Sequence, residues 1–315
     1  MMENLRFSIT AVSPLFLLMF LGYALKKWDL ISGGFAASGN KLVFYLFLPV
    51  TFMRSVARTE VSDLLDGAFI AYTVSITVIT FFIIWAIAAV FIKDRPVLGA
   101  FAQGAFRGNM AFVGMPLLIA LMGDAGAVRA ALIVAFVLPV ANVLSILVLA
   151  ATGDSGNKVS VGSVALSVAK NPLVIGIMIG LVLAVVPWQL PAVPNRTLNY
   201  IADMATPLAL LCLGAGIRYE GWDARFKYAL VASLLKVAVL PVVFVGLGFL
   251  LGFGGYDLVA FMVMGGVPGA IAGYAMVVQM GGDSYVGATI VVLSTLFSAV
   301  TLTIGIYILR IMGVF

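Results

Sequence analysis

Two long apolar segments of this chain are each interrupted near the middle by glycine and proline. The first reads FRGNMAFVGMPLL (residues 106–118), and the second reads MGGVPGAIAGY (residues 264–274). Glycine weakens a helix by about 1 kcal/mol relative to alanine, and an interior proline costs about 3 kcal/mol. Proline also removes one backbone donor and leaves an upstream carbonyl without its partner. Both segments are therefore predicted to be helices that unwind for a few residues.

The two interrupted segments occupy corresponding places in an internal duplication. The triplets Met122-Gly123-Asp124 and Gly281-Gly282-Asp283 align 159 residues apart. Other pairs recur at 158 or 159 residues, namely Pro14 with Pro172, Pro49 with Pro207, and Asn40 with Asn199. If each half contains an odd number of membrane helices, the two halves insert upside down relative to each other.

Composition places the chain in a lipid bilayer. It is 63% hydrophobic and 10% charged, with a mean hydropathy of +1.18, whereas soluble domains are about 45–50% apolar and about 25% charged. Charge-free runs cover residues 67–92, 130–153 and 284–309. Runs of this length are typical of transmembrane helices and exclude the short alternating strands of a barrel.

Several classes of function are disfavoured by the rare residue types. The net charge is +5, but the basic residues are scattered through loops, so no nucleic-acid partner is expected. The chain has no histidine, which is the commonest metal ligand and general base. The single cysteine, Cys212, cannot form an internal disulfide. We therefore expect neither an enzyme nor a bound metal or cofactor.

The apolar pattern predicts ten spans in two sets of five. The first set is 11–26, 38–57, 67–92, 97–121 and 127–151, and the second is 172–188, 198–217, 227–253, 257–280 and 285–311. The predicted fold is an all-α polytopic membrane protein of two inverted five-helix repeats, with spans four and nine broken. The repeats cover residues 1–151 and 172–315, and the polar segment 152–171 is the linker between them.

Orientation is predicted from lysine and arginine in the loops, because the side with more of them faces the cytoplasm. The loops after spans one, three, five, and seven carry nine of these residues, and the opposite side carries six. We therefore predict a multi-pass protein of the cell membrane, with a cytoplasmic linker and both termini outside.

Four of the ionisable residues within the predicted spans need an explanation, because each costs about 2.5–3.5 kcal/mol at the bilayer centre. They are Lys41, Arg107, Asp203 and Lys236. Lys41 lies near a span end and is expected to extend to the interface. Arg107 adjoins the first break and is a candidate for substrate binding or gating, or else pairs with backbone carbonyls. Asp203 and Lys236 are the candidates for proton or ion coupling; Asp203 could equally pair with a cation, and Lys236 could extend to an interface.

The ordered motifs resemble those of the auxin efflux carrier family, including its bacterial members. Asn109 followed by Gly114-Met115-Pro116-Leu117-Leu118 is similar to the fourth-helix motif of that family. The resemblance continues through the remaining motifs, which are Pro14 with Gly22-Tyr23-Ala24-Leu25-Lys26-Lys27, Leu42-Val43-Phe44 with Leu48-Pro49, and Pro268 with the later Gly282-Asp283. It covers essentially the whole chain.

The resemblance implies a transporter fold shared with bile-acid symporters. Spans one, two, six and seven would form a scaffold, which could also mediate a homodimer. The remaining spans would form a mobile domain that slides like an elevator. An organic anion would bind where spans four and nine cross. The implied substrate-binding residues are Arg107, Gly108, Asn109, Met110, Gly114, Pro116, Pro268, Gly269, Ala270 and Ile271.

The crossover sequence departs from the plant members of the family, which carry asparagine directly after proline in both crossovers. Here the first crossover reads Gly108-Asn109 and the second reads Pro268-Gly269. The resemblance to bacterial members therefore favours a small carboxylate such as malonate or malate over an auxin-like substrate, with H⁺ or Na⁺ as the coupling ion. A sodium-coupled bile-acid-type symporter and a non-transporting receptor for an organic anion remain alternatives.

Overall fold

The computed structural model describes residues 2–57, 66–153, 172–185, 191–216 and 223–315. Within these ranges the secondary structure is helical, apart from one isolated β-bridge. The helices are α1 (Met2–Lys27), α2 (33–57), α3 (Gly67–Phe91), α4a (Arg95–Phe106), α4b (Met110–Met122), α5 (Asp124–Thr152), α6 (Pro172–Val185), α7 (Ala192–Ala215), α8 (Phe226–Leu250), α9a (Gly255–Gly266), α9b (Ile271–Gln279) and α10 (Ser284–Ile311). Most of the predicted linker, from residue 154 to residue 171, lies outside the described ranges.

Seven of the described helices are long and apolar enough to cross a membrane: α1, α2, α3, α5, α7, α8 and α10. Three shorter apolar helices, α4b, α6 and α9a, accompany them. Large apolar side chains such as Phe91 and Leu250 are 75% and 79% exposed, as expected for surfaces that face lipid. The predicted class, an all-α polytopic membrane protein, is confirmed for the part of the chain that the structure describes.

Four π-helical turns precede prolines within these helices. The turns are Val43–Phe47, Met110–Gly114, Ile133–Val137 and Leu235–Val239, and the prolines are Pro49, Pro116, Pro139 and Pro241. Proline lacks an N–H and its ring clashes with the carbonyl four residues earlier. In every case that carbonyl belongs to the π turn, whose wider spacing makes room for the ring.

The helices pack in two groups. In the first, α1 packs against α7, while α2 packs against both α6 and α7. In the second, α4a packs against α3, α5, α8 and α10, and α9a packs against α8 and α10. Two glycines of α6 permit a close α2–α6 contact. A Cβ atom at Gly176 would lie 2.5 Å from the Pro49 carbonyl oxygen, and a Cβ atom at Gly180 would lie 2.6 Å from the Met53 carbonyl oxygen.

Contacts at the helix ends fix the relative directions of the helices in the second group. The amide of Asp283, which precedes α10, donates to the Pro96 carbonyl at the start of α4a, with an N···O distance of 3.1 Å. Arg129 near the start of α5 lies 2.8 Å from an Asp257 carboxylate oxygen at the start of α9a. Thus α10 begins at the end of the molecule where α4 begins, while α9 begins at the end where α5 begins.

Two helices begin six or more residues earlier than the sequence predicted, because specific contacts hold their polar first turns. The first begins at Met2 rather than residue 11, and there the Arg310 guanidinium lies 3.6 Å from the centre of the Phe7 ring. The seventh begins at Ala192 rather than residue 198, and there Arg54 donates to the Asn195 carbonyl at 3.0 Å. The predicted end of span six, residues 186–188, lies outside the described ranges.

Candidate functional site

The two helix breaks meet inside the second packing group. Gly108 in the break of α4 and Gly269 in the break of α9 form an antiparallel β-bridge. Next to it, the Asn109 amide donates to the Pro268 carbonyl at 2.8 Å. A Cβ atom at Gly108 would lie 2.7 Å from the Val267 side chain, so a glycine permits this close crossing of two backbones. We call residues 107–109 and 267–270 the crossover.

Two half-helices begin at the crossover. The α4b half-helix follows Asn109, whose side-chain oxygen accepts from the Phe112 amide at 3.3 Å. The α9b half-helix follows Ala270. The first amides of a helix lack intrahelical acceptors and carry the positive end of the helix dipole. The crossover therefore presents two helix N-termini that favour an anion.

Lys236 lies directly behind the crossover. Its side chain is fully buried, and its ammonium donates to the Gly265 carbonyl and to the Met264 carbonyl, the latter at 3.3 Å. Both carbonyls belong to the last turn of α9a, where the break removes their helical partners. A Cβ atom at Gly108 would lie 3.1 Å from the Lys236 ammonium nitrogen. Lys236 thus places its amino group at the negative end of α9a and against the other crossover peptide.

Arg107 is the cation on the open side of the crossover. It is 5% exposed. One terminal nitrogen lies 2.5 Å from the Asn142 side-chain oxygen and the other 2.6 Å from the Met276 sulfur. Its Nε is buried without a hydrogen-bond partner. These contacts orient the guanidinium and leave its Nε donor without a partner.

A cavity of about 380 Å³ lies beside the crossover, between the two packing groups. The second group contributes residues 107–109 and 270 of the crossover, the first turns of α4b and α9b, and part of α5, while the first group contributes parts of α2 and α7. The lining residues are Asn40, Phe44, Arg107, Gly108, Asn109, Met110, Ala111, Phe112, Leu138, Asn142, Leu213, Ala270, Ile271 and Ala272. This described lining contains one cation and no acid, so its fixed charge favours an anion.

Six of the ten predicted substrate-binding residues line this cavity: Arg107, Gly108, Asn109, Met110, Ala270 and Ile271. The other four are not among the lining residues. Pro268 and Gly269 hold the crossing, since the Gly269 amide also donates to the Ser294 hydroxyl at 2.9 Å. Gly114 belongs to the π turn, and Pro116 is buried in the α-helical turn that follows it.

The remaining ionisable candidates lie elsewhere. Asp203 is on α7 and exposed, outside the cavity lining. Lys41 is also exposed, at the end of the first segment of α2. Sequence reasoning missed Asn40 and Asn142 as lining residues. Their signal was an amide side chain inside an apolar span, where a polar group requires a partner.

Comparison with known proteins now identifies the family. Residues 7–306 match the family model described as membrane transport protein. The chain belongs to this family, that of the auxin efflux carriers. The resemblance that the motifs indicated is thereby confirmed.

The relatives of this transporter span almost its full length. A protein of Rhizobium meliloti (strain 1021), named "Putative malonate transporter", is 29% identical over 95% of both chains. The uncharacterized transporter YfdV of Escherichia coli (strain K12) is 25% identical over 98% of this chain and 100% of its own. An uncharacterized transporter of Methanothermobacter thermautotrophicus is 22% identical over 94% of this chain and 96% of its own. The family and these relatives are transporters, not enzymes.

Proposed function

We propose that this protein is a secondary transporter of a small organic anion, which binds at the crossover of α4 and α9. The observation that carries the proposal is the joining of the two breaks by the Gly108–Gly269 bridge, beside a cavity that contains Arg107. Two half-helix N-termini and one guanidinium favour a negative ligand. The described cavity lining has no acid to oppose it.

The packing supports alternating access of the elevator type. The cavity lies between the two helix groups, so a sliding movement of one group past the other would carry the crossover with it. The opposite directions of α4 and α9, and of α5 and α10, support the two inverted repeats. In this proposal, α1, α2, α6 and α7 form the scaffold, and α3–α5 and α8–α10 form the mobile domain. A homodimer would form through the scaffold.

The proposed substrate class is a small carboxylate, with malonate as the first compound to test. A cavity of about 380 Å³ lies at the small end of the range of roughly 300–1,000 Å³ for ligand pockets. The name of the Rhizobium meliloti relative refers to malonate. The coupling ion is proposed to be H⁺ or Na⁺, with Asp203 and Lys236 as the candidate coupling residues. Both termini are proposed to lie outside the cell.

The proposal is tested by uptake of labelled malonate into proteoliposomes that contain the purified protein. Asn109→Ala removes the side chain that caps α4b and lines the cavity. We expect this variant to lose uptake while its unfolding temperature stays within a few degrees of the wild type. The matched control is Asn199→Ala on α7, outside the cavity lining, which should keep normal uptake.

Binding is measured separately, by the shift in unfolding temperature with mono- and dicarboxylates, with and without sodium and at two pH values. A ligand at about 100 times its Kd stabilises the folded state by roughly 2.7 kcal/mol. Normal uptake by Asn109→Ala would show that the substrate does not bind at the crossover. If the wild type binds malonate but does not take it up, the result would favour a non-transporting receptor for malonate over a malonate transporter.

A further inference from the structure

Two residues that line the cavity each hold a buried polar atom without a hydrogen-bond partner. One is Arg107 Nε, a donor, and the other is the Asn40 side-chain oxygen, an acceptor. Most buried polar atoms in proteins are paired, so each exception needs an explanation. Both atoms belong to residues that line the same cavity, and a small rotation of either side chain would bring its atom to a molecule inside the cavity.

The two atoms belong to different packing groups. Arg107 lies at the crossover, whereas Asn40 lies on α2, which packs against α6 and α7. The neighbouring lining residues on the side of Asn40 are apolar, namely Phe44 and Leu213. The amide of Asn40 is therefore the polar group that this side of the described lining offers to a ligand.

We infer that Asn40 binds a second polar group of the substrate, so that the transporter selects bifunctional carboxylates over simple ones. This inference rests on the proposed function, because it places the first carboxylate at Arg107 and the half-helix N-termini. An amide has both a donor and an acceptor. It can therefore pair with a second carboxyl group, ionised or protonated, or with a hydroxyl at the far end of the ligand.

The selectivity follows from the cost of leaving the amide unpaired. A site built to hydrogen-bond a substrate group strongly rejects an analogue that lacks the group, because the buried polar atoms then remain unpaired. A monocarboxylate with an apolar tail would leave the Asn40 side chain without a hydrogen-bond partner. Hydrogen bonds that involve a charged group contribute about 1.5–3 kcal/mol, which corresponds to roughly a 10- to 100-fold change in affinity.

The test compares malonate with 3-methylbutanoate, in which an isopropyl group of similar shape replaces one carboxylate. Affinities are measured by titration calorimetry on the purified full chain. We expect the wild type to prefer malonate by roughly 10- to 100-fold. Asn40→Leu should lose this preference by weakening malonate binding, while 3-methylbutanoate binding stays within about twofold. Asn40→Ser, which keeps a hydroxyl, should retain part of the preference.

The control is Lys41→Gln, which removes the adjacent exposed charge and should leave both affinities unchanged. Unfolding temperatures without ligand show whether each variant is folded. Equal affinity of the wild type for the two compounds, or equal loss of both in folded Asn40→Leu, would overturn the inference while leaving the crossover site in place. If the wild type binds neither compound, the inference about Asn40 and the proposed carboxylate site at the crossover would both be overturned.

Discussion

Lys236 shows how one side chain compensates for a break in a membrane helix. The interruption of α9 leaves carbonyls in the last turn of α9a without helical donors, and water is scarce at this depth. The buried ammonium of Lys236 donates to two of them, at Met264 and Gly265. An apolar side chain at this position would leave both carbonyls unpaired. These contacts give Lys236 a structural task, whatever its part in coupling.

We predict that Lys236→Met destabilises the protein by about 1–3 kcal/mol, the cost of leaving buried polar groups unpaired. The measurement is the unfolding temperature of the purified protein. Lys41→Met is the matched control, since Lys41 is exposed and surface changes usually stay within about 0.5 kcal/mol. Equal unfolding temperatures for the two variants would show that the carbonyls of α9a do not depend on Lys236.

At the residue scale, the sequence predicted the crossover better than the cavity opposite it. The break at Arg107, Gly108 and Asn109 was predicted because it interrupts an apolar run, which is visible without any knowledge of packing. The role of these residues in binding was implied by the family resemblance and stays a prediction. Asn40 and Asn142 were not, because each is a single amide in an otherwise regular helix. Only tertiary packing brings these two amides to one cavity.

At the scale of the helix, the positions of the prolines could have predicted π turns as well as helix breaks. The sequence predicted unwinding where glycine and proline occur together, and α4 and α9 do break there. It did not predict the π turns before Pro49, Pro139 and Pro241, where the helix continues. The physical difference is that one wide turn accommodates each of these three prolines, whereas adjacent glycines also weaken the helix itself.

Ion pairs join helix ends outside the apolar segments. Arg225, just before α8, lies 2.8 Å from an Asp223 carboxylate oxygen and 2.5 Å from an Asp283 carboxylate oxygen next to α10. The hydrogen bond from the Arg225 side chain is the main cause that lowers the pKa of Asp223 from 3.8 to about 2. A carboxylate whose pKa is lowered by folding stabilises the protein only while it is ionised.

We therefore predict how Asp223→Asn depends on pH. The wild type should unfold at a higher temperature than this variant above about pH 4, where Asp223 is ionised in both states. The difference should shrink as the pH falls from about 4 toward 2, because the folded state then loses the ionised carboxylate. Asp29→Asn, in the loop after α1, is the control. A difference that stays constant down to pH 2 would contradict the role of the Arg225 contact.

At the scale of the whole molecule, a cross-link within one helix group and a cross-link between the two groups are predicted to affect uptake differently. A Cβ atom at Gly39 on α2 would lie 3.8 Å from the Cβ atom of the buried Cys212 on α7. This is the mean spacing in disulfides. Both residues belong to the proposed scaffold. We expect Gly39→Cys to form a disulfide with Cys212 on oxidation and to keep its malonate uptake.

A link between the groups should have the opposite effect. Leu213 on α7 and Ala272 on α9b line the cavity from different groups. In a Cys212→Ser background, the pair Leu213→Cys and Ala272→Cys is bridged by a short bis-methanethiosulfonate reagent, which forms a disulfide with each cysteine and releases sulfinate. The bridged protein should lose uptake, and a reductant that cleaves the two disulfides should restore it. Uptake is measured before and after bridging, so that any effect of the substitutions alone is subtracted. Full uptake by the bridged protein would contradict sliding of the groups past each other.

The hydrogen bond between Asn109 and Pro268 also constrains how the protein is synthesised. Its two partners lie about 160 residues apart, so at about 5–20 residues per second the ribosome needs on the order of 10–30 s to deliver the second after the first. During this interval α4 is already made, but its open turn has no backbone from α9 to pair with. We therefore expect the N-terminal half to hold unpaired backbone groups in the bilayer during this interval.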